Sequence, residues 1–338
     1  MTDEFPTTKI PPYKCPKGIL ISASSHLVDR FVPDCEVITL PPKTVRGGSL
    51  KIKLKESISH SDHLRTIQRA AMFGKKAHEL DGVLIDFRTH HPQNWAHFLN
   101  DHLPLLYKLI EESGLKKETL RVLLPKKTPR YIVEAAKLFS INTIQTDTPV
   151  KGSVLAFSLQ PWTSNRPVRH LWARSREVDD ILLTHGVFDA SSYSLPRKLF
   201  ISRRATRNLE NETEIAELLS KRGYHKIYAE DFSASDQFKI FQHAEEIVSI
   251  HGAAIAPLLY RRPESLLSRL VELFPCGHMT DNFRVMCHQV GCRWIGVRGR
   301  IKPEHIAGAY DLDKPFLEYS LQSFSVDPKS LEIALDMK

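Results

Sequence analysis

The sequence predicts an α/β protein of two domains, and three observations carry that reading. At 338 residues the chain exceeds what one hydrophobic core usually serves. Apolar runs of strand length alternate with stretches at helical spacing along most of it. The alternation weakens between about 151 and 196, where Pro161, Pro167, Pro196 and a serine-rich stretch at 191–194 fall. The domains are therefore expected at 1–195 and 196–338.

The elements follow in order. The first 18 residues hold four prolines and little periodicity, an irregular lead-in. GILISAS, CEVITL, SLKIKL and DGVLIDF then read as strands rich in β-branched residues. After Arg88 the pattern changes. Pro92 suits a helix's first turn, and Trp95, Phe98, Leu99 and Leu103 recur at helical spacing until Pro104 interrupts. RVLLP, PRYIVEAAKLF and INTIQT continue as strand, helix and strand.

The second half is more regular. KLFISR predicts a strand, and Asn211 with Glu214 forms a capping box for a helix ending at Gly223. HKIYA, SASDQFKIFQHA, EIVSI, AAIAPLLY, SRLVELF, NFRVMCHQVG and CRWIGV complete a β/α succession with the rhythm of a nucleotide-binding half. The last segment, PKSLEIALDMK, is a short helix expected to pack back across the domain boundary.

Composition narrows the classes. Hydrophobic residues at 42%, charged at 25% and aromatic at 9% exclude wholesale disorder and fibrous repeats. No apolar run reaches membrane-span length and the N-terminus opens with acids and prolines, so a soluble cytoplasmic protein is expected. Five scattered cysteines without a CxxC spacing argue against a disulfide framework and a structural zinc. The net charge of +8 is uneven: residues 1–195 carry 27 basic against 20 acidic side chains, residues 196–338 carry 20 against 19. Such an excess admits nucleic acid, an anionic membrane face or an acidic substrate, and solvated loops produce it equally.

Four segments hold residues suited to chemistry. In HHPQNWAHFLNDHLPLL, a helix places Asn94, His97 and Asp101 at i, i+3 and i+7, an amide, an imidazole and a carboxylate able to take a hydroxyl's proton. An exposed His–Asp pair has the same spacing. In RKLFISRRATRNLENETE, Arg203, Arg204 and Arg207 follow a strand's C-terminal end, where ligands bind in open α/β sheets, and guanidinium forks match phosphate. In EEIVSIHGAAIAPLLY, the strand turns at His251 and Gly252 straight into a helix at Ala253, a place for an anion to meet backbone N–H groups. In LVELFP, Glu272 ends a strand and suits ribose hydroxyls. Neither GxxxxGK[ST] nor GxGxxG occurs, and Asp311-Leu312-Asp313, with DxD spacing, sits in a late loop before Pro315.

In this order and at these separations, the four segments resemble the catalytic region of glycosyltransferase family 61, which includes xylosyl- and N-acetylglucosaminyltransferases and bacterial capsule enzymes. Its N-x-x-H-x-x-x-D-x-L-P stretch is matched by Asn94, His97, Asp101, Leu103 and Pro104. Ser202, Arg203, Arg204, Arg207, Asn211 and Glu212 match its arginine-rich segment. His251, Gly252 and Ala253 match its H-G-A turn, and Glu272, Leu273 and Pro275 its E-L-x-P.

The resemblance implies a GT-B architecture, two Rossmann-like domains facing a cleft. It also implies inverting transfer from a nucleotide-sugar, a UDP-sugar first, to a glycan or lipid-linked glycan in surface or capsular polysaccharide synthesis. Asp101 or His97 is then the base, with Asn94 beside them in substrate binding. Arg203, Arg204, Arg207, His251, Gly252 and Ala253 hold the diphosphate, and Glu272 the ribose, with neither metal nor cofactor. The basic first half fits an acidic acceptor or peripheral contact with the inner membrane face. A silent polysaccharide-binding or scaffold protein of the same fold is the alternative. Nucleic acid is disfavoured, because basic residues are not interleaved with stacking aromatics.

Overall fold

The computed structural model describes residues 13–15, 18–20, 37–45, 78–88, 91–157, 175–276, 278, 280, 282–300 and 320–337. The chain divides into two compact units, the earlier within residues 29–185 and the later mainly residues 186–338 with 1–28. Both are α/β, as expected.

The earlier unit holds a sheet in the order β3 (Val37–Val45), β7 (Val150–Phe157), β4 (His78–Asp86), β5 (Leu120–Leu124), β6 (Thr143–Gln145). The β3–β7 pair is antiparallel and the other pairs are parallel. Leu84, Leu123 and Val150 form a cluster within it, packed by Leu80 and Ile144. The expected strand SLKIKL lies outside the described residues.

After β4 the chain enters a one-turn helix, α1 (Trp95–His97), continues through a widened π turn at Phe98–His102, and runs on as α2 (Leu103–Ser113). Pro104 therefore does not interrupt the helix. Proline has no N–H to give the carbonyl four residues back, and its ring presses on that carbonyl in an α-helix. The wider turn, in which Leu103 N–H reaches Phe98 O, relieves both conflicts before the proline is met. Gly114, at φ 63°, closes α2 in the left-handed conformation. Two further helices, α3 (Arg130–Leu138) and α4 (Arg176–Thr184), complete the described part of the unit.

The later unit carries a second sheet, ordered β12 (Arg293–Arg298), β11 (Arg269–Phe274), β10 (Glu246–Ile250), β8 (Lys198–Ser202), β9 (His225–Tyr228). All its pairs are parallel. Leu199, Phe200, Ile247, Val248, Leu270, Leu273 and Phe274 are essentially buried, as in strands covered on both faces. Each such side chain stabilises the fold by roughly 1.5–3 kcal/mol. Helices α5 (Glu212–Lys221), α6 (Ala234–His243) and α7 (Asn282–Gln289) belong to this unit. In chain order the strands occupy positions 2-1-3-4-5, so their order reverses between β8 and β10.

Three local expectations are corrected. The lead-in contains a small antiparallel ribbon, β1 (Tyr13–Cys15) with β2 (Gly18–Leu20). The segment Ala253–Tyr260 is a 3₁₀ helix, consistent with Pro257 removing a donor from its middle. Asn211 makes no side-chain cap; its amide grips the backbone of Val326 through Nδ2→O at 2.8 Å and N→Oδ1 at 3.1 Å. The C-terminal helix, α8 (Pro328–Asp336), packs on β1, β12 and α5. There Arg222 binds Asp336 at 2.5 Å and Arg269 donates to Leu335 O at 2.7 Å. Among the described residues, no helix is long and apolar enough to cross a membrane.

Candidate functional site

In an open parallel sheet, adjacent strands whose connections leave in opposite directions open a crevice at their C-terminal ends. In the later unit this place lies between β8 and β10. Arg203 follows β8 directly, and His251 and Gly252 follow β10. Arg203 is half-buried and donates from Nη1 to His251 O at 3.1 Å and from Nη2 to Thr206 Oγ1 at 3.3 Å. Its guanidinium lies over Gly252, where a β-carbon would come within 1.8 Å of Nη1. Three of the residues expected from the sequence thus meet at one turn.

Arg207 is half-buried with φ 62°, a strained conformation for a residue with a side chain. The C-terminal stretch holds it: Arg207 N donates to Leu321 O at 3.1 Å, and Nε donates to Ser320 O. Burial, reinforced by Arg203, lowers its pKa to about 10. Arg204 sits differently. It is exposed, its fork spans both oxygens of Asp231 at 2.6 Å, and it stacks 3.8 Å over the Tyr228 ring. The hydrogen bonds to Asp231 hold its pKa above the ordinary value.

His251 and Glu272 form a buried pair. Their Nδ1 and Oε1 atoms are 2.6 Å apart, and Trp294 Nε1 donates to Glu272 Oε2 at 2.7 Å. Phe274 stacks on the His251 ring at 5.0 Å, while His278 and Phe283 meet it edge-on at 5.1 and 5.7 Å. Burial pushes Glu272 up to about 8, against the hydrogen bond from Trp294 and the charge of Arg207. Burial, then Arg207 and Arg203, holds His251 well below the usual histidine range. Both shifts favour the uncharged forms of the pair.

This corrects the role expected of Glu272. Its side chain is wholly buried and both oxygens are occupied, so it orients His251 instead of meeting a ribose. Trp294 and His278 were not anticipated. The only signal for His278 was its place in the loop after a strand's C-terminal end; for Trp294 there was none. Burial, then His251 and Arg207, brings His278 down to about 3.

In the earlier unit the corresponding segment also leaves the C-terminal end of a parallel strand. Asp86 ends β4 and binds Arg88 through two side-chain hydrogen bonds of 2.9 Å, both residues buried. Arg88 in turn donates to Thr148 O at 2.7 Å, tying this loop to the one after β6. Asn94 caps α1, its Oδ1 accepting from Ala96 N at 3.0 Å and His97 N at 3.4 Å. Trp95 is buried between Phe98 and Tyr131, which fixes α1 against α3. His97 is half-buried, 5.8 Å from the ring of His91.

Asp101 lies in the π turn, and its side chain is outside the described residues, as are Asp311 and Asp313. Asn100, next to Asp101, is 2% exposed, and neither end of its amide has a hydrogen-bond partner among the described residues. Sequence reading missed it, because an asparagine within an apolar helical run has no distinguishing spacing. Gln93 donates to Lys127 O at 3.1 Å, bringing the exposed Lys126 and Lys127 beside this loop. Among the described residues, no three His, Cys, Asp or Glu side chains converge as metal ligands.

The profile of the family described as Glycosyltransferase 61 matches residues 95–267. That range takes in His97, the π turn, the arginine segment and the His251-Gly252-Ala253 turn, and leaves Asn94 and Glu272 just outside. No curated protein matches the chain. With half of its length fitting the profile, and the motif residues falling at the strand ends where an α/β sheet takes ligands, the chain belongs to glycosyltransferase family 61.

Proposed function

We propose that this glycosyltransferase moves a sugar, with inversion, from a nucleotide-sugar donor to a hydroxyl of a glycan acceptor in surface or capsular polysaccharide synthesis. A UDP-sugar is the first candidate donor. The observation that carries this reading is the turn at the strand-order reversal of the later sheet. There Arg203, Arg207, His251 and the side-chain-free face of Gly252 gather at the ends of adjacent parallel strands.

In this reading the diphosphate sits against Arg203 and Arg207, with the N–H of Ala253 and the His251 ring as further donors. Charge that develops on the leaving oxygen meets fixed positive groups, which lowers the barrier without a resident cofactor. Arg204, committed to Asp231, braces the loop instead of gripping phosphate. Asp101 or His97 removes the proton of the acceptor hydroxyl as it attacks the anomeric carbon from the side opposite the nucleotide. The π turn supports that role, since such turns recur at functional sites. Two Rossmann-like units of the GT-B kind would give each substrate one unit.

The exposed Lys126 and Lys127, held beside the loop after β4 by the Gln93–Lys127 hydrogen bond, fit an acidic or diphosphate-linked acceptor. Such an acceptor would be met in the cytoplasm or at the inner face of the membrane. The test is thermal stability in the presence of UDP-, GDP-, TDP- and CMP-sugars. A nucleotide present at about 100 times its dissociation constant raises stability by roughly 2.7 kcal/mol. A flat response to all four classes would overturn the reading.

A further inference from the structure

We propose that Glu272 and His251 act as a proton-donating pair, passing one proton to the leaving diphosphate as the glycosidic bond of the donor breaks. This rests on the reading of the later unit as the donor site, and adds to it a source of acid.

Burial favours the uncharged carboxyl, and the buried contact between Glu272 and His251 fits a carboxyl that donates to the imidazole. Glu272 Oε2 accepts from Trp294 Nε1 at 2.7 Å, which leaves Oε1, 2.6 Å from His251 Nδ1, as the oxygen that carries the proton. Nδ1 then accepts, and the ring hydrogen resides on Nε2. Phe274 stacks on the ring, and Phe283 and His278 meet it edge-on. The carbonyl of the same residue receives Arg203, so donor nitrogen and guanidinium belong to one turn.

The surrounding charges set the timing. Arg203 and Arg207 face the pair from the loop after β8, His278 from the loop after β11, Trp294 from β12 and Cys287 from α7. With the site empty, the two arginines oppose a positive imidazolium. A bound diphosphate offsets them, and negative charge growing on the leaving oxygen draws the proton forward.

The step balances. The bond between the anomeric carbon and the phosphate oxygen breaks with its electron pair going to oxygen, and that oxygen takes the hydrogen from His251 Nε2. Nδ1 takes the hydrogen from Glu272 Oε1, leaving a carboxylate. The acceptor oxygen forms the new bond to carbon and loses its proton to the base of the earlier unit. Water returns a proton to the pair when the nucleotide departs.

Glu272 is fully buried, so its proton must come and go through His251. A carboxyl that only tethered the imidazole would leave no proton signature on nucleotide binding. Calorimetric titration with UDP, GDP and TDP, in buffers of different ionisation enthalpy from about pH 6 to about pH 9, reads that signature. For whichever nucleotide binds tightest, the wild-type protein is expected to take up a substantial fraction of a proton near pH 8 to 9.

Glu272→Gln keeps both hydrogen bonds. It should bind with an affinity within about threefold of wild type near pH 6 yet take up no proton. Trp294→Phe removes a hydrogen bond that favours the carboxylate, so its proton uptake should move to higher pH; this variant serves if Glu272→Gln fails to fold. Equal proton uptake by wild type and Glu272→Gln would overturn the proton-donating pair while leaving the donor site intact. If none of the three nucleotides binds wild type, the donor site falls, and the pair with it.

Discussion

Gly252 leaves room for Arg203: a β-carbon at residue 252 would stand 1.8 Å from the Nη1 atom of the guanidinium. The glycine of the His-Gly-Ala turn is therefore a seat for an arginine that arrives from the neighbouring strand. Gly252→Ala should fold, because the clash is with the movable end of a long side chain, but it should evict Arg203. The expected outcome is a loss of at least tenfold in nucleoside-diphosphate affinity, with a melting temperature within a few degrees of wild type. Calorimetry and thermal melting on the same sample check it.

The two neighbouring arginines should separate. Arg203 is presented to the crevice, whereas Arg204 is bound by Asp231 and stacked on Tyr228. Arg203→Ala is expected to weaken UDP binding tenfold or more, and Arg204→Ala by no more than about threefold. The exposed Arg204–Asp231 pair should contribute little to stability, because water and salt screen it. Equal losses of affinity in the two variants would contradict the assignment.

Stability should depend on pH through Glu272 with a defined sign. Its pKa is raised from 4.5 to about 8 in the folded protein. Between those values the folded state binds more protons than the unfolded chain, so stability falls as pH rises. This contribution is fully present below about pH 4.5 and is lost through about pH 8. Glu272→Gln cannot ionise, so its stability relative to wild type should increase steadily from pH 5 to pH 8 in urea titrations. A constant difference would show that Glu272 is ionised throughout.

Asn100 is buried with an amide unbonded at both ends among the described residues. Removing a polar group that has no partner costs little and returns the cost of burying it. Asn100→Leu is expected to melt at or above the wild-type temperature. A loss of more than about 1 kcal/mol would mean that the amide is bonded in solution.

Much of this architecture was legible because strands buried on both faces read as unbroken apolar runs, and KLFISR, EIVSI and SRLVELF all became central strands of the later sheet. What stayed hidden is set by tertiary contacts. Nothing local says that β8 lies beside β10, and that neighbourhood is what brings Arg203 to His251. Glu272 was visible as an acid at a strand end, but its pairing depends on Trp294, which is 22 residues away in sequence. Asn211 looked like a helix cap and instead holds Val326, which a local rule cannot foresee. Pro104 misled in the other direction, since a π turn absorbs the residue that usually ends a helix.

The central claim is that one group of the earlier unit deprotonates the acceptor while the cationic turn of the later unit holds the nucleotide. Turnover of Asp101→Asn and His97→Asn at saturating donor, with UDP affinity measured in parallel, tests it most directly. One of the two variants is expected to lose at least about a hundredfold in kcat while binding UDP as tightly as wild type. Undiminished turnover in both would contradict the account.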